Sequence, residues 1–141
     1  MSSFKFVGNQ ERIEIPEGSQ LVEISALIPF KRVDIDPFDL LGQSDLISSW
    51  LYPVKSAKLN QGGKLLFSRE TGEEIEAVCI SFIVGRELSL VSDDFGTATF
   101  KIEKKKNDLS IKADFKILTT LYDEKRELFD RFISQLSEIC T

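Results

Sequence analysis

The chain has 141 residues, a formal net charge of −5 from 23 acidic and 18 basic side chains, and no histidine. That length buries one hydrophobic core without disulfide or metal support, and the acidic balance excludes a general affinity for polyphosphate or anionic membrane. The missing histidine removes His-based triads, His proton shuttles and the commonest metal ligand together.

The opening MSSFKFVGNQER has no uninterrupted apolar stretch of the kind a signal peptide needs, and no run anywhere approaches the ~18 apolar residues of a membrane span. A soluble, unsecreted protein without membrane insertion is expected. Residues 1–20 are the least regular and are expected to form an extension to a single domain over 21–141. Within them, Arg12 to Ile15 suggests a short strand and IPEGSQ a Pro/Gly turn. From Leu21 to Phe30, Val22, Ile24, Ala26 and Ile28 fall on one face, the period-2 signature of a half-buried strand.

Asp36-Pro37 predicts a helix start, because Asp accepts from the free N–H groups of a first turn and Pro loses nothing at the first helical position. That helix would end at Gly42. Ser44 is placed to cap a second one carrying Leu46, Ile47, Trp50 and Leu51 on one side, stopped by Tyr52-Pro53. From Lys55 to Leu118 the pattern is strands and turns. SRETGEE turns into a strand at Glu76 to Ile83, VGRE into Leu88 to Val91, and SDDFG into Thr97 to Glu103. Leu109, Ile111, Ala113, Phe115 and Ile117 then alternate with Ser110, Lys112, Asp114 and Lys116, giving one dry face and one wet face, as antiparallel sheets allow.

Thr120, with Asp123 three residues on, has the spacing of a capping box for the longest helix. Its apolar stripe is Leu121, Tyr122, Leu128, Phe129, Phe132, Ile133, Leu136 and Ile139, with Lys125, Arg126, Asp130 and Arg131 off it. The stripe and the dry sheet face each require a cover and each can supply the other's, so the fold class is α+β.

The segments DPFDLL, SDLISSWL, GGKLLF, RELSLV, GTATFKIEKKKNDLSIKADF and LFDRFISQL, in that order, resemble the START-like (SRPBCC) helix-grip superfamily. The closer resemblance is to its branch named for the activator of the ATPase of heat-shock protein 90. It implies an antiparallel sheet wrapped around the C-terminal helix, two short helices after the first main strand, and often an apolar cavity between sheet and helix. It also implies Trp50 on the second short helix, and a tight turn or bulge at Gly62-Gly63, where glycine accepts φ > 0. Related sequences commonly carry Gly-Trp near the start of the final helix, where this chain has Glu124-Lys125. The connection LTT before that helix is short and leaves little room for a lid.

Eleven phenylalanines stand against one tryptophan and two tyrosines. Phe brings area without a polar handle, which favours a core or an apolar cavity over a nucleic-acid platform. On the resemblance, Trp50, Phe67, Phe100, Phe115, Phe129 and Phe132 are the candidate lining of a ligand cavity. The plainer reading makes the same rings a close-packed core.

Glu73, Glu74 and Glu76 crowd a hairpin turn where carboxylates are ordinarily solvated, and Lys104, Lys105 and Lys106 read as a solvated turn or a contact for an acidic partner. Cys79 and Cys140 match neither a disulfide framework nor a metal-ligand spacing, so a cytoplasmic setting is the default. With no histidine to activate it, Cys79 in an apolar strand is expected to be buried and inert, and nothing near Cys140 marks a redox site. No cofactor motif, metal-ligand cluster or phosphate loop is present.

Three roles are therefore expected in competition. The first is a non-catalytic module holding a small apolar ligand between sheet and helix. The second is a chaperone-activator or other protein-interaction role. The third is a cyclase or dehydratase enzyme, for which Tyr52, Arg69, Arg86 and Tyr122 are the candidate polar groups on strands or helices.

Overall fold

The computed structural model describes residues 16–141. The expected strand at Arg12 to Ile15 lies outside the described residues. The elements are β1 (Gln20–Phe30), α1 (Asp39–Gly42), α2 (Ser44–Ile47), β2 (Val54–Ala57), β3 (Lys64–Ser68), β4 (Glu74–Ile83), β5 (Glu87–Ser92), β6 (Gly96–Lys105), β7 (Asp108–Thr119) and α3 (Tyr122–Cys140). The strands form one antiparallel sheet in the order β1-β7-β6-β5-β4-β3-β2. Among the described residues only the β1–β7 neighbour pair is non-consecutive, so β1 joins β7 and the rest is a meander.

The register sets the inner face. Leu90, Ala98, Phe115 and Ile24 lie side by side across four strands, and Leu88, Phe100, Ala113 and Ala26 form the next row. Alanines beside phenylalanines leave room for the rings, and these positions are buried or half-buried. On α3 the buried side chains are Lys125, Phe129, Phe132, Leu136 and Cys140. This i, i+4, i+7 stripe packs on the inner face against β1 and β7. The backbone N–H of Lys31 donates to the carbonyl of Cys140 at 2.8 Å, tying the end of β1 to the last turn of the helix.

Several local expectations are corrected. Lys125 was placed off the helix stripe, yet it is buried within it, because a carboxylate faces it from a distant turn. The Thr120–Asp123 capping box does not form. The hydroxyl of Thr119 instead accepts from the N–H of Leu121 at 2.9 Å, and the helix begins at Tyr122 without a side-chain cap. Ser44 does not cap α2 and lies inside it. Asp36 does accept from the N–H of Phe38 at 2.8 Å, although α1 begins only at Asp39. The glycine expectation holds: Gly62 has φ +86°, and a Cβ on Gly63 would meet the carbonyl oxygen of Lys58 at 2.0 Å.

α2 ends at Ile47, so Trp50 sits in the turn that follows rather than on the helix. It is fully buried, its indole N–H donates to the carbonyl of Leu40 at 2.7 Å, and its ring meets Phe100 edge-on at 4.8 Å. Trp50 therefore pins the α1–α2 segment to the sheet. Trp50→Ala is expected to cost about 3–5 kcal/mol in urea unfolding. Trp50→Phe keeps most of the area but orphans the Leu40 carbonyl, and should cost about 1–3 kcal/mol. An exposed indole, with red-shifted emission and easy quenching in the native protein, would contradict this role.

Candidate functional site

The six aromatic side chains expected to line a cavity are brought together and are all essentially inaccessible. Trp50 meets Phe100, Phe100 meets Phe115 at 5.5 Å, and Phe115 lies 4.9 Å from Phe129 and 5.9 Å from Phe132. Phe95, which the sequence reading did not single out, links Phe132 to Phe67, at 6.4 Å from each. These separations are those of rings in mutual contact.

Tyr52 belongs to the same network, 5.2 Å from Phe132, but its hydroxyl leaves it. That hydroxyl donates to Asp94 Oδ2 at 2.7 Å. The guanidinium of Arg69 pairs with Asp94 Oδ1, and the ammonium of Lys125 stands 3.6 Å from the same oxygen. Side chains of Asp94 and Lys125 are 7% and 10% exposed, that of Arg69 34%. Arg69 also reaches Glu73 at 3.7 Å, while its Nε is buried with no partner among the described residues.

Local backbone chemistry puts these groups in place. Arg69 opens the β3–β4 turn, where its N–H donates to the carbonyl of Glu73 at 2.8 Å and its carbonyl accepts from Gly72 at 2.9 Å. Asp94 lies in the β5–β6 turn, which Gly96 closes at φ +71°. A Cβ on Gly96 would stand 2.1 Å from the carbonyl oxygen of Lys116, so the turn requires glycine. Burial raises the Tyr52 phenol above its ordinary range, with Arg69 opposing. Burial also pulls the Lys125 ammonium below its usual value, against the pull of Glu124.

Beside this cluster is an open cleft of about 730 Å³, between residues 48–53, the β3–β4 hairpin at 68–71 and one side of α3. Leu51, Pro53 and Leu128 give it apolar wall. Tyr52, Arg69 and Lys125 border it from the cluster, and Glu70, Glu124, Glu127 and Arg131 add further charge. None of the six aromatic candidates borders it.

Of the four polar candidates, Tyr52 and Arg69 meet at Asp94. Arg86 is exposed in the β4–β5 turn, and the Tyr122 hydroxyl accepts from Arg126 at 3.3 Å. Asp94 and Lys125 were missed. The spacing Lys125, Phe129, Phe132, Leu136 was the available signal for Lys125, and none pointed to Asp94. Both thiols are buried, and burial raises both, Cys140 to about 11. The acidic hairpin side chains are exposed and pair with Lys55, Lys64 and Arg69. Among the described residues, no group of three or more Asp, Glu or Cys is placed to hold a metal, and no helix is long and apolar enough to cross a membrane.

The architecture, with its seven-stranded antiparallel sheet, two short helices and long C-terminal helix, is the START-like helix-grip fold. No protein-family model matches the sequence, and no curated protein matches it. Solved structures do share the fold. Protein BH1534 from Bacillus halodurans superposes with a TM-score of 0.69 at 12% identity, covering 87% of this chain and 99% of that one. An AHSA1-like protein from Aeromonas hydrophila gives 0.64 at 13%, covering 83% and 90%. The Aha1 dimer from Colwellia psychrerythraea gives 0.62 at 13%, covering 84% and 96%. The last two belong to the branch that the sequence motifs resemble, and at these identities the likeness is one of fold.

Asp94 holds one buried and one half-buried cation, so removing its charge should be among the most damaging single changes outside the aromatic core. Asp94→Ala is expected to lower unfolding free energy by about 3–5 kcal/mol. Tyr52→Phe, which deletes one hydrogen bond to a charged acceptor, should cost about 1.5–3 kcal/mol. Thermal or denaturant melts that leave Asp94→Ala within about 0.5 kcal/mol of the parent would show that the cluster is not held together in solution.

Proposed function

We propose that this protein is a non-catalytic START-like binding module that holds a small amphipathic ligand in the cleft beside α3. The observation that carries this reading is the contrast between two regions. In the interior the rings are in contact with one another, whereas the cleft is open, has the volume of a small-molecule site, and sets the apolar side chains of Leu51, Pro53 and Leu128 among polar and charged ones. In this reading Trp50, Phe67, Phe100, Phe115, Phe129 and Phe132 are the rigid support of the site, and the ligand lies against the outer side of α3. A cytoplasmic setting belongs to the same proposal, supported by the two unbridged thiols.

A cyclase or dehydratase chemistry is disfavoured by the bonding in the cluster. Tyr52 already donates its only hydroxyl proton to Asp94, and both oxygens of Asp94 are engaged. Both groups are satisfied within the protein, and no observation sets either against a reacting atom.

A second reading, a protein contact of the chaperone-activator kind, has one surface feature in its favour. Leu21 and Leu118 face each other across β1 and β7, each 49% exposed, and Leu121 follows at 50%. Stimulation of a heat-shock protein 90 ATPase on mixing, lost in Leu21→Lys, would establish that role.

Amide chemical-shift mapping with a panel of small amphipaths tests the first reading. Shifts are expected at Ser49, Arg69, Thr71 and Leu128, and Thr71→Trp should abolish them while leaving the fold intact. Shifts centred instead on Phe100 and Phe115 would place the ligand within the aromatic core. No shifts with any compound would remove the binding-module reading.

A further inference from the structure

We infer that the cleft selects a singly charged carboxylate carrying an apolar tail, with the anionic head at the ammonium of Lys125. The inference rests on the cleft being the binding site and names the ligand class it takes.

The argument starts from the charges at the cleft's inner wall. Within the cluster, Arg69 and Lys125 are two cations against the one buried carboxylate of Asp94, a local excess of one positive charge. Glu73 does not remove it. That side chain is 65% exposed and 3.7 Å from Arg69, a solvated pair of little energetic weight.

The surplus falls on Lys125. Arg69 takes the closer place at Asp94 Oδ1, Tyr52 takes Oδ2, and the ammonium at 3.6 Å is outside hydrogen-bonding distance. Its donors have no hydrogen-bond acceptor among the described residues, although the side chain is nine-tenths buried. The stem of Lys125 is buried while its nitrogen keeps contact with solvent at the cleft, and burial lowers its basicity. Glu124 is the nearest opposing charge and raises the basicity of Lys125, but its side chain is exposed and no hydrogen bond joins the two.

Lys125 borders the cleft, so an anion entering from solvent can reach it. Leu51, Pro53 and Leu128 on the same walls accept an apolar tail. Glu70, Glu124 and Glu127, only partly offset by Arg131, oppose every negative charge in the cleft and so weigh more heavily against a polyphosphate than against a single carboxylate.

Octanoate and octan-1-ol share a tail and differ in the charge of the head, so titrating each into the intact protein at pH 7 isolates the inference. Octanoate is expected to bind about tenfold more tightly or better, as one charge-assisted contact implies, and to shift Arg69, Lys125 and Leu128. Lys125→Met, which keeps the stem and deletes the charge, should reduce octanoate to the affinity of the alcohol. Equal affinities of the two compounds for the parent protein would overturn the carboxylate assignment while leaving the cleft as a binding site. That comparison stands even where the variant does not fold. Absence of cleft shifts with either compound would remove the binding-module reading, and this inference with it.

Discussion

The carboxylate of Asp94 is the constraint around which the distinctive part of this molecule is arranged. A charge buried to that extent must be paired and hydrogen-bonded, and three segments far apart in the chain supply what it needs. Tyr52 comes from the exit of the short helices, Arg69 from the β3–β4 turn, and Lys125 from the first turns of α3. Each brings its own segment to the same point, and the cleft is the space those segments enclose. Tyr52 also lies in the aromatic network through Phe132 and Phe67, so the polar cluster and the packed core share a side chain.

This arrangement separates support from recognition. The ring contacts from Trp50 to Phe129 give α3 a fixed seat on the inner face of the sheet, and close-packed interiors of this kind transmit position well but leave little room for guests. The polar groups lie at the margin of that core, where water and small solutes have access. Two thiols within the same body are held protonated by burial and take no evident part in the site.

Much of the architecture was legible in the sequence. Period-2 alternation in Val22 to Ile28 and in Leu109 to Ile117 gave β1 and β7 their buried faces, and those two strands pair along their whole length. The stripe Phe129, Phe132, Leu136 gave α3 its orientation. What stayed hidden was the exception on each pattern. Lys125 occupies a stripe position, but a lysine there reads as polar and outward, and only the approach of Asp94 through the β5–β6 turn makes its burial tolerable. Asp94 itself sits in SDDFG, a run of turn residues whose plain explanation is solvation. Local signals also failed where tertiary contacts intervened: the Thr120 cap gave way to Thr119, and the turn after Ile47 placed Trp50 by its bond to Leu40 rather than by helical spacing.

A double-mutant cycle between Asp94 and Lys125 tests the central claim most directly. Unfolding free energies would be measured for the parent, Asp94→Asn, Lys125→Met and the combined variant. If the carboxylate compensates the buried ammonium, the combined variant recovers about 1 kcal/mol or more relative to the sum of the single losses. Additivity within about 0.3 kcal/mol would mean that the two groups do not interact, and the cleft would lose the charge arrangement on which its proposed chemistry depends.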